Sequence, residues 1–147
     1  MATDCLFCRI AAHTVTADVL HEDQHVLAFL DIHPIRPGHT LIVSKQHFAY
    51  FEDVPTEIAN AIIALGQRLA RAMKQAYGVQ QVGFLFAGSD IPHVHAHIVP
   101  MHEKTDLTSR LYIAEPRLTF RETPRAPDDA LSATAAGLAA ALRNVTR

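Results

Sequence analysis

The stretch HVHAHIVP, residues 93–100, places three histidines at every second position. Val94, Ala96 and Ile98 alternate with them, and this alternation has the period of a β-strand. The sequence therefore predicts a strand with an apolar face against a core and a histidine face at a polar site, since each imidazole needs partners for two ring nitrogens. Pro100 is predicted to end the strand because it cannot donate to the ladder. A solvent-facing polar stripe is the alternative interpretation.

The composition is that of an ordinary globular chain of 147 residues, 49% hydrophobic and 19% charged, with a net charge of −2. This length predicts a single domain over residues 1–147. The acidic balance argues against a general nucleic-acid binder, which needs a basic face. The sequence shows no signal peptide and no run of about 18 apolar residues, and it therefore predicts a cytoplasmic protein with no membrane partner.

The two cysteines, Cys5 and Cys8, form a Cys-x-x-Cys pair near the beginning of the chain. In a reducing compartment such a pair is more typical of metal binding or redox chemistry than of a structural disulfide. A closed tetrahedral zinc site needs two further ligands. Two reduced thiols without a metal are the alternative, and a redox role is disfavoured because no thioredoxin-like βαβ pattern surrounds the pair.

The order of the predicted elements indicates an α+β fold with an antiparallel sheet. Pro55 is a favoured first-turn residue, and the helical spacing after it predicts one long helix that ends at Gly78. An alanine-rich segment, residues 128–144, predicts a C-terminal helix. A helical turn is predicted near residues 7–12, and the predicted strands are residues 19–22, 25–30, 39–44, 81–87 and 93–100, with weaker signals at 111–114 and 118–122.

The histidine strand and several blocks before it carry a family resemblance. The triad followed by an apolar pair and Pro100 resembles the histidine-triad (HIT) superfamily of nucleotide hydrolases and transferases. Matching blocks are CLFC at residues 5–8, HVLAFLDI at 25–32, PGHTLIV at 37–43 and KQH at 45–47. The resemblance implies a five-stranded antiparallel sheet with a long helix, a homodimer, and a nucleoside phosphate held in a cleft beside the histidine strand.

The resemblance also implies a catalytic set of three histidines. His95, the middle histidine, is implied to be the nucleophile, and a neutral imidazole is well suited to this role because its pKa lies near neutrality. His97 is implied to hydrogen-bond the phosphate or the leaving group. His39 resembles the family's supporting histidine behind the nucleophile. The group that holds the second ring nitrogen of His95 is left open by the sequence.

A nucleotide-binding set follows from the same resemblance. Asp31 matches an acidic residue that binds the ribose hydroxyls, and Ile32 is implied to contact the base. Gly88, Ser89 and Asp90 occupy the phosphate loop. A carboxylate facing a phosphate costs roughly 1 kcal/mol or more at close range. Asp90 therefore points away from the phosphate, faces a cationic leaving group, or weakens binding.

Two histidines complete the metal site that the resemblance implies. His47 and His93 match the residues that join a cysteine pair in such proteins, and the four ligands are Cys5, Cys8, His47 and His93. The implied ion is a structural zinc.

Three functions are compatible with these residues. The favoured one is a hydrolase or nucleotidyl transferase with a purine nucleotide substrate. It cleaves the α-phosphate bond of nucleoside phosphoramidates or dinucleoside polyphosphates through a covalent His95-nucleotidyl intermediate, releasing a nucleoside monophosphate such as AMP. The alternatives are a non-catalytic purine-nucleotide-binding module and a metallohydrolase in which the triad itself holds a catalytic zinc.

Overall fold

The computed structural model describes residues 4–86, 90–107 and 123–145. The predicted strands at residues 111–114 and 118–122, and the predicted phosphate-loop residues Gly88 and Ser89, lie outside these ranges. The helices and strands, in chain order, are α1 (Leu6–Ala11), β1 (Val19–Glu22), β2 (Val26–Leu30), β3 (Thr40–Ser44), a short 3₁₀ helix (Phe51–Asp53), α2 (Thr56–Tyr77), β4 (Gln81–Phe86), β5 (His95–Met101) and α3 (Asp128–Asn144).

The five strands form one antiparallel sheet in the order β1-β2-β3-β5-β4. The prediction of an α+β fold with a five-stranded antiparallel sheet, one long helix and a C-terminal helix is therefore confirmed. Strand β5, which carries the last two histidines of the triad, lies between β3 and β4. This position brings both neighbours' side chains next to the triad.

One face of the sheet packs against α2 and α3. Ala28, Ile42, Ala96 and Ile98 are fully buried on this face, and the alternating pattern of the histidine strand predicts this for Ala96 and Ile98. Helix α2 is stopped by Gly78, whose positive φ of 66° suits glycine and whose N–H donates to the carbonyl of the last turn. Among the described residues, no helix is long and apolar enough to cross a membrane.

The opposite face of the sheet carries His95 and His97 and is partly covered by α1. Phe7 and Ile10 of this helix pack against Leu27, Phe29 and Leu41. His95 and His97 lie on the same face because they alternate with the buried Ala96. The histidine face therefore borders a second, smaller apolar cluster.

The ends of the histidine strand differ from the prediction. Pro100 does not end β5, since it pairs with Val82 and the strand continues to Met101. Strand β3 pairs with β5 only as far as Ile98, so Pro100 has the single-neighbour setting in which proline is tolerated. His93 lies before the strand rather than within it.

Candidate active site and metal centre

The orientation of His95 is fixed by the main chain. This residue begins β5 and is only 8% exposed. Its Nδ1 lies 2.6 Å from the carbonyl oxygen of His93. A carbonyl only accepts hydrogen bonds, so Nδ1 carries the hydrogen and Nε2 carries the lone pair. The ring of Phe7 packs edge-on against the imidazole at 5.0 Å. His95 therefore has the tautomer that a nucleophilic Nε2 requires.

His39 and His97 form a second hydrogen-bonded unit. The N–H of Ile35 donates to Nδ1 of His39 at 3.2 Å. The hydrogen of the neutral imidazole is therefore on Nε2, which lies 2.9 Å from Nδ1 of His97 and donates to it. This bond places the hydrogen of a neutral His97 on its Nε2. The hydrogen-bond partner of His39 is thus His97, whereas the resemblance implied that it supports His95.

Burial keeps His39 neutral. The pKa of His39 is lowered to about 4, chiefly by the loss of solvation; the carboxylate of Asp31 acts to raise this pKa, and the nearby His97 acts to lower it. The Oδ2 atom of Asp31 is 3.7 Å from Nδ1 of His39. At neutral pH His39 is therefore a neutral donor to His97 rather than a cation.

A cleft of about 710 Å³ opens beside these histidines. It is lined by the three catalytic candidates His39, His95 and His97, and by the nucleotide-binding candidates Asp31, Ile32 and Asp90, so all six share one cavity. Its walls also carry apolar side chains that remain 37% to 44% exposed, namely Leu6, Ile32, Ile35 and Leu85. An apolar slot next to imidazoles suits a ligand with a flat ring at one end and a phosphate at the other.

Several cleft residues had no recognised signal in the sequence. Phe7 contacts the ring of His95, and Thr123 reaches the cleft from the far end of the chain. The sequence did contain one signal for Phe7. It lies between Cys5 and Cys8, and a metal site that joins these cysteines to His93 would place Phe7 beside the triad. No local pattern marks Thr123, because its neighbours in the cleft lie 90 residues away in sequence.

Four side chains converge on one point beside the triad. Nδ1 of His93 lies 3.3 Å from Sγ of Cys5, 3.5 Å from Sγ of Cys8 and 3.3 Å from Nδ1 of His47. Sγ of Cys8 lies 3.3 Å from Nδ1 of His47. All four ligand atoms are within 4.8 Å of one another. The four residues that the resemblance implied as zinc ligands are therefore together.

The geometry of this cluster fits a tetrahedral metal ion. Ligands at about 2.0–2.3 Å from a tetrahedral zinc lie roughly 3.3–3.8 Å from each other, which matches the distances above. Nε2 of His93 lies 2.8 Å from the carbonyl of Ser44 and donates to it, so the lone pair of Nδ1 faces the cluster. Burial and the neighbouring Cys5 raise the pKa of Cys8 to about 11, which disfavours the thiolate. A cation bound at the cluster would stabilise the thiolate and offset this effect.

A second group of possible metal ligands has a different explanation. Asp31, His39 and His97 also lie within 4.8 Å of one another. Here the close pair of ring nitrogens is a hydrogen bond, and the amide of Ile35 occupies the other nitrogen of His39. Each histidine of the triad has its own partner. His93 contacts the Cys₂His₂ cluster, His95 donates to the carbonyl of His93, and His97 accepts from His39. This arrangement argues against one catalytic zinc held by the triad.

Comparisons with known proteins show the family of the chain. The HIT domain model matches residues 12–104. The chain belongs to the HIT family. An uncharacterised HIT-like protein of Methanocaldococcus jannaschii is 39% identical over 103 residues, which are 67% of this chain and 80% of that protein. The yeast adenosine 5′-monophosphoramidase is 37% identical over 113 residues, 76% of this chain and 70% of the enzyme.

A solved HIT structure shows a metal. The crystal structure of a zinc-bound histidine triad family protein from Mycobacterium smegmatis superimposes with a TM-score of 0.76 at 29% identity, covering 98% of this chain and 96% of that one. The Cys₂His₂ cluster of this HIT protein is compatible with the same metal.

Proposed function

We propose that this HIT protein is a nucleotidyl hydrolase or transferase with His95 as its nucleophile. The observation that carries the proposal is the hydrogen bond from Nδ1 of His95 to the carbonyl of His93, which leaves the Nε2 lone pair for attack. The Nε2–phosphorus bond forms as the bond to the leaving group breaks, and the leaving group takes a proton from solvent. Water then attacks phosphorus and returns a proton to solvent, the nitrogen–phosphorus bond breaks, and a nucleoside monophosphate is released.

His97 acts beside the nucleophile as a hydrogen-bond donor. The donation from His39 keeps the hydrogen of His97 on Nε2. Such a donor stabilises the charge that builds on the phosphoryl oxygens or on the leaving group. His39 is therefore a positioning residue in this mechanism, and it acts through His97.

The nucleotide lies along the cleft in a defined direction. Asp31 accepts hydrogen bonds from the ribose hydroxyls, and its Oδ1 is already held by the N–H of His33 at 2.8 Å. Ile32, 44% exposed, packs against the base. Gly88, Ser89 and Asp90 are the residues that we expect to contact the phosphate, and the position of Asp90 in the cleft wall suits a substrate with a cationic leaving group.

Nucleoside phosphoramidates are the favoured substrates, with AMP as the product. The name of the yeast relative, an adenosine 5′-monophosphoramidase, supports this choice. Dinucleoside polyphosphates are a second candidate class, since they contain the same α-phosphate bond. A purine-nucleotide-binding module without turnover is the alternative function.

The metal we propose for the Cys₂His₂ cluster is a structural zinc held by Cys5, Cys8, His47 and His93. When bound, it ties the N-terminal segment to the residue that precedes the nucleophile strand. Thiols that must stay reduced to bind a metal favour the cytoplasm as the compartment.

We also propose a homodimer. Strand β4 is at the edge of the described sheet, and an unpaired edge with apolar side chains is a typical association surface. Phe84 of β4 is 42% exposed, and Ile63 of the neighbouring helix α2 is 43% exposed. Both would be buried by a second copy of the chain.

The test of the reaction is release of AMP from adenosine 5′-phosphoramidate. The wild type is expected to turn over, and His95→Ala is expected to lose turnover by at least about a thousandfold while keeping its fold and metal. His25→Ala is the matched control, because this surface histidine pairs with Gln24 and Glu57 away from the cleft. Unchanged turnover in His95→Ala would contradict the mechanism, and binding without turnover in the wild type would favour the binding module.

A further inference from the structure

His33 lines the cleft next to Ile32, and the proposed reaction gives it no role. Its Nδ1 lies 3.1 Å from the carbonyl oxygen of Thr123. Because a carbonyl only accepts, Nδ1 carries the hydrogen, and a neutral His33 has its lone pair on Nε2. Among the described residues, no group forms a hydrogen bond with this Nε2. The side chain is exposed, so a bound ligand can reach it.

The segment that orients His33 is itself bound to the cleft. The N–H of Ala126 donates to the carbonyl of Ile32 at 2.8 Å, next to the contact between His33 and Thr123. The chain then enters α3 at Pro127, and this helix packs on α2 and the sheet. Residues 123–127 therefore hold the loop at His33 from a second, anchored element of the fold.

The order of residues along the cleft assigns His33 to the base. This step rests on the proposed function. If phosphorus lies at His95 and the ribose at Asp31, the next residues outward are Ile32 and His33. Ile32 offers an apolar surface to the ring of the base, and His33 offers a polar atom to its edge.

We propose that His33 is a specificity residue that selects a base with an amino group at its edge. Nε2 of His33 accepts a hydrogen bond from the 6-amino group of adenine. Hypoxanthine carries a carbonyl oxygen at the same position, and that oxygen would face the lone pair of Nε2 without a hydrogen between them. The fixed tautomer thus distinguishes a 6-aminopurine from a 6-oxopurine through one contact.

Equilibrium binding of AMP and IMP tests this inference without any turnover. The wild type is expected to bind AMP about tenfold more tightly than IMP, as one gained hydrogen bond in place of a repulsion predicts. In His33→Asn, the short amide can still donate to Thr123 but has no acceptor at the reach of Nε2, so the AMP-to-IMP ratio is expected to fall close to one. His33→Gln places both an acceptor oxygen and an NH₂ donor at that reach, so it can pair with either base edge, and its AMP-to-IMP ratio is also expected to fall close to one.

The control is His25→Asn, which is expected to keep the wild-type ratio. Equal binding of AMP and IMP by the wild type would overturn the inference. An unchanged AMP-to-IMP ratio in His33→Asn would overturn it as well, because the preference would then come from elsewhere in the cleft. Neither nucleotide is a substrate, so a protein that hydrolyses no phosphoramidate but shows these ratios would retain the inference and lose the proposed reaction.

Discussion

At the scale of single residues, main-chain groups set the protonation pattern of the site. The carbonyls of His93 and Ser44 accept from His95 and His93, and the amide of Ile35 donates to His39. Peptide groups neither titrate nor rotate freely, so each neutral imidazole has one tautomer over a wide pH range. Because the imidazole is already oriented, the activation free energy of the reaction does not include the entropy loss of orienting it.

His39 makes a testable contribution to stability against pH. Its pKa is about 4 in the folded protein and about 6.5 when unfolded, so the unfolded chain binds more protons between these values. Stability is therefore unaffected above about pH 6.5 and falls as the pH is lowered towards 4. The loss from this group is about 2 kcal/mol between pH 7.5 and 5. The groups that face it are Asp31 and His97.

Urea unfolding of the wild type and His39→Gln at the two pH values measures this effect. Between pH 7.5 and 5, the free energy of unfolding is expected to fall by about 2 kcal/mol more in the wild type than in the variant, because glutamine does not titrate. Equal losses in the two proteins would show that His39 does not carry the proton uptake.

At the scale of elements, α1 is joined to the Cys₂His₂ cluster. A helix of six residues is too short to be stable alone. Cys5 and Cys8 connect it to His47 and His93, and its residues Leu6, Phe7 and Ile10 form part of the cleft wall. The cluster therefore supports the nucleotide cleft through α1.

If the proposed zinc is bound, its removal with a chelator is expected to loosen α1 before the rest of the fold. Amide exchange should rise at residues 6–13 and stay low in the buried part of α2, and AMP binding should weaken. A loss of about 3 kcal/mol would lower Tm by roughly 10 °C. Re-addition of zinc should reverse each change. If amide exchange at residues 6–13 stays unchanged after complete removal of the metal, the stability of α1 does not depend on the cluster.

At the scale of the whole molecule, the sheet and its helices could be predicted from short patterns. The alternation around Ala96 and Ile98 and the helix end at Gly78 are both patterns of a few neighbouring residues. The structure has both features, since Ala96 and Ile98 are buried and α2 ends before Gly78. The contact of His39 with His97 depends on strand register, and the contact of His33 with Thr123 joins residues 90 positions apart. Local sequence patterns carry no information on either.

The proposed dimer belongs to this scale. Phe84→Lys is expected to give a monomer at micromolar concentration, because a charge at the centre of an apolar interface is left without a partner. Val19→Lys is the matched control, since Val19 is 39% exposed on β1 at the opposite edge of the sheet. Light scattering coupled to size exclusion gives both masses. A dimeric Phe84→Lys protein, or a monomeric wild type, would contradict the proposed interface.

The side chain of His93 belongs to the Cys₂His₂ cluster, which is the proposed zinc site, and its carbonyl orients His95, the proposed nucleophile. Any residue at this position supplies a carbonyl, whereas only a few side chains can bind a metal. Metal binding by the side chain and orientation of His95 by the carbonyl can therefore change independently during evolution. A lineage that lost the cysteines and this imidazole would keep the bond that orients His95, so metal binding can drift or disappear among descendants while the chemistry is inherited.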